Sequence, residues 1–298
     1  MTGVQTCALP ISRIIESLPP IPSRRPEAHK GDFGRVLVVA GSRGMAGAAV
    51  LSGRACLRGG AGLVTVATPA SQQPIVACGS PCYMTIPLAE DGDGRLAGHA
   101  VETLLAEAKA RDVVVLGPGC GQSSALALLA QGLLNDFSGA IVLDADAINV
   151  LSPRVLAAKG SASRVVITPH PGEFARLTGS TIASVQADRE TAAVNLARET
   201  GVVVLLKGRG TVVTDGDRLR INQTGNPGMG TGGSGDVLSG LLGALLGQGM
   251  PVFEAAVLAA HLHGLAGDIA AEDFTQTGLI ATDLVDYLPA AFARHARC

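Results

Sequence analysis

Tryptophan is absent from the 298-residue chain, and other aromatics are scarce, with 2 tyrosines and 6 phenylalanines. Charge is sparse and balanced: Lys and Arg number 23, Asp and Glu 25, for a formal net charge of −2. Reading unstacked bases takes aromatic platforms, and holding a phosphate backbone takes a basic field. The chain has neither in bulk, so no nucleic-acid partner is expected. No C-x-x-C pair occurs among the six cysteines (Cys7, Cys56, Cys78, Cys82, Cys120 and Cys298). They are too scattered for a disulfide scaffold and lack zinc-finger spacing. Such thiols suit a reducing compartment, so a cytoplasmic location is expected. Long hydrophobic runs are missing too. The longest, 237–250, is Gly-rich and broken by Gln248, short of the roughly 20 residues that a span needs. No membrane association is expected.

Aliphatic residues dominate what is present. Hydrophobic residues make up 47% of the chain and the mean hydropathy is +0.35, which excludes a mostly disordered protein. Three segments differ in character. Residues 1–12 hold a short apolar stretch with no basic residue before Arg13, unlike a signal peptide. This string resembles translated sequencing-adapter sequence and is expected to be non-native. Residues 13–28 contain Pro19, Pro20, Pro22 and Pro26, the signature of an extended lead-in or linker. Residues 29–298 carry no internal repeat and read as one domain.

Within that domain, short apolar runs alternate with Ala/Leu-rich stretches. The runs 35–40, 62–67, 112–116, 140–143, 164–168 and 202–206 are continuously apolar, as strands buried on both faces of a parallel sheet must be. Helices are expected over 46–59, 99–110, 124–134, 153–159 and 182–200. Asp215-Gly216-Asp217 sits between two short runs and predicts a hairpin. Three further helices are expected over 237–249, 252–271 and 282–295. The pattern predicts an α/β fold, a mostly parallel central sheet with helices on both faces.

Ligands of such sheets bind beyond the carboxyl ends of strands, where Gly-rich turns let backbone amides approach. One turn, 41–48, has G-x-x-G-x-x-G spacing and not the dinucleotide fingerprint; it serves equally as a tight connection or a ligand loop. Gly117-Pro118-Gly119-Cys120-Gly121 follows the third run. Asp144-Ala145-Asp146-Ala147 places two carboxylates at a strand end. Thr168-Pro169-His170-Pro171-Gly172-Glu173 forms a rigid polar loop, and Lys207-Gly208-Arg209-Gly210-Thr211 lacks Walker order. The most informative segment, Asn226-Pro227-Gly228-Met229-Gly230-Thr231-Gly232-Gly233-Ser234-Gly235-Asp236, leads into an apolar helix. Its glycines suit a backbone nest around an anion, and Asp236 stands beside it as a candidate general base. Asp236 would also serve as a simple helix-dipole residue. A base next to an anion hole is what phosphoryl transfer to a hydroxyl requires.

The 230–236 segment resembles the anion-hole and base motif of ribokinase-like small-molecule kinases. Together with His29-Lys30-Gly31-Asp32-Phe33-Gly34, the 44–48 loop, Gly117-Pro118-Gly119, the Asp144–Ala147 turn, the Thr168–Glu173 loop, Lys207-Gly208 and Gly225-Asn226, it resembles the ADP/ATP-dependent NAD(P)H-hydrate dehydratase family from about 29 to 291. That resemblance implies a ribokinase-like fold and repair of hydrated nicotinamides. The family phosphorylates the added hydroxyl of NADHX or NADPHX, and phosphate then leaves to restore NADH or NADPH. It implies ADP as co-substrate in bacterial members, with AMP released, ATP in eukaryotic ones, and Mg2+ as cofactor with no ligands assignable. It implies substrate contacts at Ala48, Gly119, His170 and the catalytic Asp236, and nucleotide contacts at Lys207, Gly208, Arg209, Gly210, Thr211 and Gly235. Partners expected from it are a fused or separate NAD(P)HX epimerase and further copies of the chain as a homo-oligomer. A vitamin-precursor kinase of the same fold is the alternative.

Overall fold

The structure, a computed structural model, describes residues 12–157 and 164–297. Nearly all of the leading segment 1–12, the end of the helix expected over 153–159, Cys7 and Cys298 lie outside these residues. Among the described residues, ten strands form one sheet: β1 (Arg13–Ile14), β2 (Arg35–Val39), β3 (Leu63–Pro69), β4 (Met84–Leu88), β5 (Val113–Leu116), β6 (Ala140–Leu143), β7 (Val165–Ile167), β8 (Val203–Leu206), β9 (Val212–Thr214) and β10 (Arg218–Ile221). Their order across the sheet is β1-β10-β9-β8-β7-β6-β5-β2-β3-β4. From β4 to β8 every pair is parallel, while β9 runs antiparallel to both its neighbours. The chain builds outward from β2 to β4, returns to β5 on the other side of β2, and builds outward again. The gap between the ends of β2 and β5 is therefore the topological switch point, where an open α/β sheet leaves a crevice for ligand.

Among the described residues, twelve α-helices cover the sheet: α1 (Ala46–Arg58), α2 (Gln73–Cys78), α3 (Ala100–Ala108), α4 (Ser124–Asp136), α5 (Asp146–Asn149), α6 (Pro153–Leu156), α7 (Pro171–Thr178), α8 (Ile182–Ala187), α9 (Arg189–Thr200), α10 (Ser234–Gly247), α11 (Val252–Gly278) and α12 (Ala281–His295). Alternate residues of each central strand enter opposite cores. Val36, Val38, Val113 and Val115 pack with Ala49 of α1, Leu241 of α10, Leu258 of α11 and Leu284 of α12. Leu37, Val39, Val114 and Leu116 pack with Leu104 of α3, Leu129 of α4, Phe174 of α7 and Leu196 of α9. Two apolar faces explain why these strands read as unbroken hydrophobic runs.

Several elements depart from the sequence reading. β4 contains Pro87 and lies at the sheet edge, where a missing N–H costs no ladder bond. The helix expected over 182–200 is two helices, separated at Asp188, whose carboxylate accepts the Thr191 N–H at 3.0 Å and caps α9. The segment expected as a loop at 168–173 starts a helix. The helix expected to end at 271 runs on to Gly278, broken by a kink at Thr275, which has φ +61°. α11 has the length and apolarity to cross a membrane, but 67% of that stretch is buried inside the protein. The Pro-rich lead-in is docked along the domain: Ile15 N–H donates to Leu219 O at 2.8 Å, Pro19 O lies 3.1 Å from His295 Nε2, and the Arg24 guanidinium stacks 3.9 Å over the Phe33 ring.

The His29–Gly34 motif lies ahead of β2, at the amino ends of the strands and away from the switch point. Lys30–Phe33 form one 3₁₀ turn. His29 Nδ1 accepts the Gly31 N–H at 3.1 Å and Asp32 Oδ2 accepts the His29 N–H at 2.9 Å. Gly62, just before β3, supports this turn closely: a Cβ there would lie 1.7 Å from Lys30 O. Gly62→Ala is accordingly expected to cost about 1–3 kcal/mol or more through overpacking against backbone. Thermal unfolding should register a fall of several degrees in Tm; an unchanged Tm would mean that the turn is not locked against Gly62.

Candidate active site

Asp144 ends β6 with its side chain 1% exposed. A carboxylate so buried needs donors on both oxygens, and three elements supply them. Lys207 Nζ, just past β8, donates to Oδ1 at 2.9 Å. Thr168 Oγ1, just past β7, donates to Oδ1 at 2.7 Å, and Ser239 Oγ of α10 donates to Oδ2 at 2.7 Å. Ala145, next in sequence, has φ +50° and ψ −117°, a strained conformation for a residue with a Cβ. The sharp turn there lets Asp146 face away from Asp144; its Oδ2 accepts the Gly121 N–H at 2.8 Å. The 144–147 turn is thus tied to the 117–121 turn.

The 117–121 turn meets the 41–48 turn across the switch point. Ser42 Oγ donates to Gly119 O at 2.8 Å, and Gly41 N–H donates to Pro118 O at 2.8 Å. Ala48, in the first turn of α1, packs so near that a Cβ on Gly119 would lie 2.8 Å from its own Cβ. Ala48 and Gly119, two of the predicted substrate contacts, therefore form one wall. α1 also reaches α10: Ser52 Oγ donates to Asp236 O at 3.0 Å.

α10 opens behind Gly233, which has φ +96°. Among the described residues, no backbone acceptor takes the N–H of Gly235 or Asp236, leaving the orphan donors expected of a first helical turn. Below it, His263 Nε2 lies 2.9 Å from Ser234 O, and burial pushes this ring's pKa down to about 4, so it is neutral. Lys207 crosses from β8 to the same turn. A Cβ on Gly235 would sit 3.2 Å from Lys207 Nζ, so Gly235 leaves the ammonium and the helix N-terminus side by side. Lys207 is held charged: burial lowers its pKa, but Asp144, Glu173 and Asp236 outweigh this and raise it above the usual value. Amides, helix dipole and ammonium together make an anion-attracting surface.

Asp236 projects from this turn. Burial first, then the Asp144 carboxylate, push its pKa up; Lys207 opposes them, Asp146 and Glu173 add to them, and the result is about 7. A carboxylate poised there takes and gives up a proton near neutrality. His170 is the N-cap of α7, with Pro171 in the first helical position. Its Nδ1 accepts from Gly172 N–H at 3.0 Å and Glu173 N–H at 3.3 Å, while Glu173 Oε2 accepts from His170 N–H at 2.8 Å. The ring proton then sits on Nε2, 3.4 Å from Glu173 Oε1, on a half-exposed side chain at the edge of the site. Lys207 Nζ lies 3.9 Å from Glu173 Oε2 and links this loop to the centre.

The predicted residues of the nucleotide loop divide. Lys207 and Gly235 join the central cluster. Gly208 and Gly210 have φ of +137° and +65°, and Thr211 Oγ1 donates to Gly208 O at 3.0 Å, closing a tight turn. The Arg209 side chain is exposed and outside the cluster; its backbone carbonyl accepts from Arg189. Thr168 and Ser239 as donors to Asp144 escaped the sequence reading, because a lone hydroxyl in an apolar run carries no pattern. The paired cap of His170 and Glu173 escaped it because N-caps are sought at Ser, Thr, Asp and Asn.

An acid whose folded pKa is raised binds its proton more tightly when folded, so it subtracts stability as pH rises from about 4 to about 7. Asp236→Asn removes that titration. In ligand-free protein its Tm should exceed wild type above pH 7, with the difference fading below about pH 4. A difference independent of pH would contradict the raised pKa.

The sequence profile of the NAD(P)H-hydrate dehydratase family matches residues 36–290. The chain is 45% identical over 270 residues to the bifunctional NAD(P)H-hydrate repair enzyme of Moorella thermoacetica, covering 90% of this chain and 51% of that protein. It is 39% identical over 271 residues to the ADP-dependent (S)-NAD(P)H-hydrate dehydratase of Neisseria meningitidis, covering 88% and 86%. The ADP/ATP-dependent NAD(P)H-hydrate dehydratase of Bacillus subtilis, co-crystallised with ATP and Mg2+, superposes with a TM-score of 0.77 at 30% identity, covering 93% and 95%. The chain spans about half the length of the bifunctional relatives that it matches. With a ribokinase-like sheet and an acid at the mouth of a glycine-lined helix, matched by relatives over nearly all of this length, the chain belongs to the NAD(P)H-hydrate dehydratase family.

Proposed function

We propose that this chain dehydrates NAD(P)H hydrate at the expense of ADP. The observation that carries the reading is Asp236: a carboxylate with a pKa of about 7 in the first turn of α10, beside free amides and the Lys207 ammonium. In its ionised form Asp236 takes the proton of the hydroxyl added to the nicotinamide ring. The hydroxyl oxygen attacks the β-phosphorus of ADP and AMP leaves. The amides of 232–235 and Lys207 hold the charge that gathers on the transferring phosphoryl group. Phosphate then departs with the electron pair of the ring C–O bond, a proton leaves the adjacent ring carbon, and the double bond of NAD(P)H is restored. Phosphorylation is needed because hydroxide is a poor leaving group and phosphate a good one.

Substrate sits against the wall of Ala48 and Gly119, with His170 Nε2–H offered at its edge; the nucleotide sits against 207–211. Among the described residues no three His, Cys, Asp or Glu side chains converge on a metal cage. That suits Mg2+, which keeps several waters and binds through one or two carboxylates plus substrate phosphates. Asp146 fits this role, since among the described residues its Oδ2 accepts the Gly121 N–H and its Oδ1 takes no donor. When bound there with the nucleotide, Mg2+ would supply charge neutralisation on the phosphates. The partner proposed for the activity is an NAD(P)HX epimerase, fused or separate, and the working form proposed is a homo-oligomer.

Incubation with NADHX and ADP should return the absorbance of reduced nicotinamide and release AMP and phosphate in equal amounts. A kinase would instead accumulate a phosphorylated product without that absorbance. Asp236→Asn should lower turnover by about 10²–10⁴-fold while ADP still binds. In wild type, kcat should rise with pH through about 7 and level off above it; a flat profile would remove Asp236 as the base. His170→Ala should weaken NADHX more than ADP, and equal effects on both would make His170 only a helix cap.

A further inference from the structure

One side chain outside the candidate site binds the proposed nucleotide loop through the loop's backbone. Arg189 begins α9 and is half-buried. Its Nη1 donates to Arg209 O at 2.6 Å and Gly210 O at 3.2 Å, and its Nη2 donates to Leu206 O at 2.8 Å and Lys207 O at 2.9 Å. The last carbonyl of β8 and three carbonyls of the 207–211 loop thus converge on one guanidinium. No carboxylate pairs with Arg189 among the described residues, so its charge stays under the loop uncancelled.

A trans peptide points its C=O and the following N–H in opposite directions. With the carbonyls of 206, 207, 209 and 210 turned toward Arg189, the N–H groups of Lys207, Gly208, Gly210 and Thr211 point away from it. The Lys207 N–H donates to Pro169 O at 2.9 Å. The amides of Gly208, Gly210 and Thr211 take no backbone acceptor among the described residues. They form a row of donors on the outer side of the loop. Gly208, at φ +137°, comes so near the guanidinium that a Cβ there would lie 3.0 Å from Arg189 Nη2.

We infer that Arg189 is a positioning residue for the adenine nucleotide: it draws the loop carbonyls inward and so aims the amides of Gly208, Gly210 and Thr211 at acceptor atoms of the ligand. This rests on the proposed reading of 207–211 as the nucleotide loop. Lysine cannot reproduce it, because an ammonium lacks the planar fork that spans four carbonyls.

The test compares the full chain with Arg189→Ala and Arg189→Lys. ADP affinity is read by calorimetry, KM and kcat with NADHX and ADP by absorbance, and amide exchange over 206–211 by mass spectrometry. Arg189→Ala should weaken ADP at least about tenfold, leave KM for NADHX within about twofold, and speed exchange in the loop. Arg189→Lys should recover only part of the loss. ADP affinity within about twofold of wild type in Arg189→Ala overturns the inference. So do equal losses for ADP and NADHX with a lowered Tm, which mark a merely structural role. Because ADP affinity is measured directly, a wild-type protein that binds ADP without dehydrating NADHX overturns the proposed reaction alone.

Discussion

Asp144 holds a negative charge where water does not reach, and the cost of that burial is offset only by a complete set of donors. Those donors come from the ends of β7 and β8 and from α10, so one carboxylate ties together the strand ends and the helix that opens the anion site. The tie sets where the Lys207 ammonium stands, directly against Gly235. It also raises the pKa of Asp236: Asp144 is the largest charged contributor to a shift that burial already drives upward. Geometry and electrostatics of the reacting centre thus share one origin.

The sheet topology explains why the proposed substrate and nucleotide sides lie on either side of this point. Reversal of the build direction between β2 and β5 leaves the 41–48 and 117–121 turns facing each other. The nucleotide loop closes β8, three strands away from β5 in the sheet order. α10 spans the interval, with its N-terminus at the carboxyl ends of the strands and Gly247 beside Gly34 at the other end. Asp236 therefore stands between the Ala48–Gly119 wall and the 207–211 loop, the two surfaces proposed for substrate and nucleotide.

A helix cap built from histidine occurs twice, in His29 with Asp32 and in His170 with Glu173. In both, Nδ1 accepts backbone N–H groups and the acid three residues on accepts the histidine N–H. The first cap shapes a turn at the amino ends of the strands and stays clear of the site. The second leaves Nε2–H at the edge of the site. Two motifs of similar chemistry thus differ in role because of the end of the sheet at which they fall.

Continuous runs such as Val113–Leu116 and Val203–Leu206 could be read directly, since a strand covered on both faces must be apolar at every position. The glycine-rich turns after them, and Asp236 at a helix start, were legible for the same local reason: a turn or a first helical turn is written in a few adjacent residues. β4 was hidden by Pro87, which only an edge position tolerates. The partners of Asp144 were hidden by distance, since Lys207 lies 63 residues away and Ser239 95. Arg189, 18 residues from Lys207, looked like any charge inside the helix expected over 182–200. Local composition determines which segments are strands, helices and turns, because those depend on burial and backbone preference within a few residues. Tertiary structure alone decides which charges meet, and the pKa of Asp236 and the orientation of the 207–211 amides follow from that meeting.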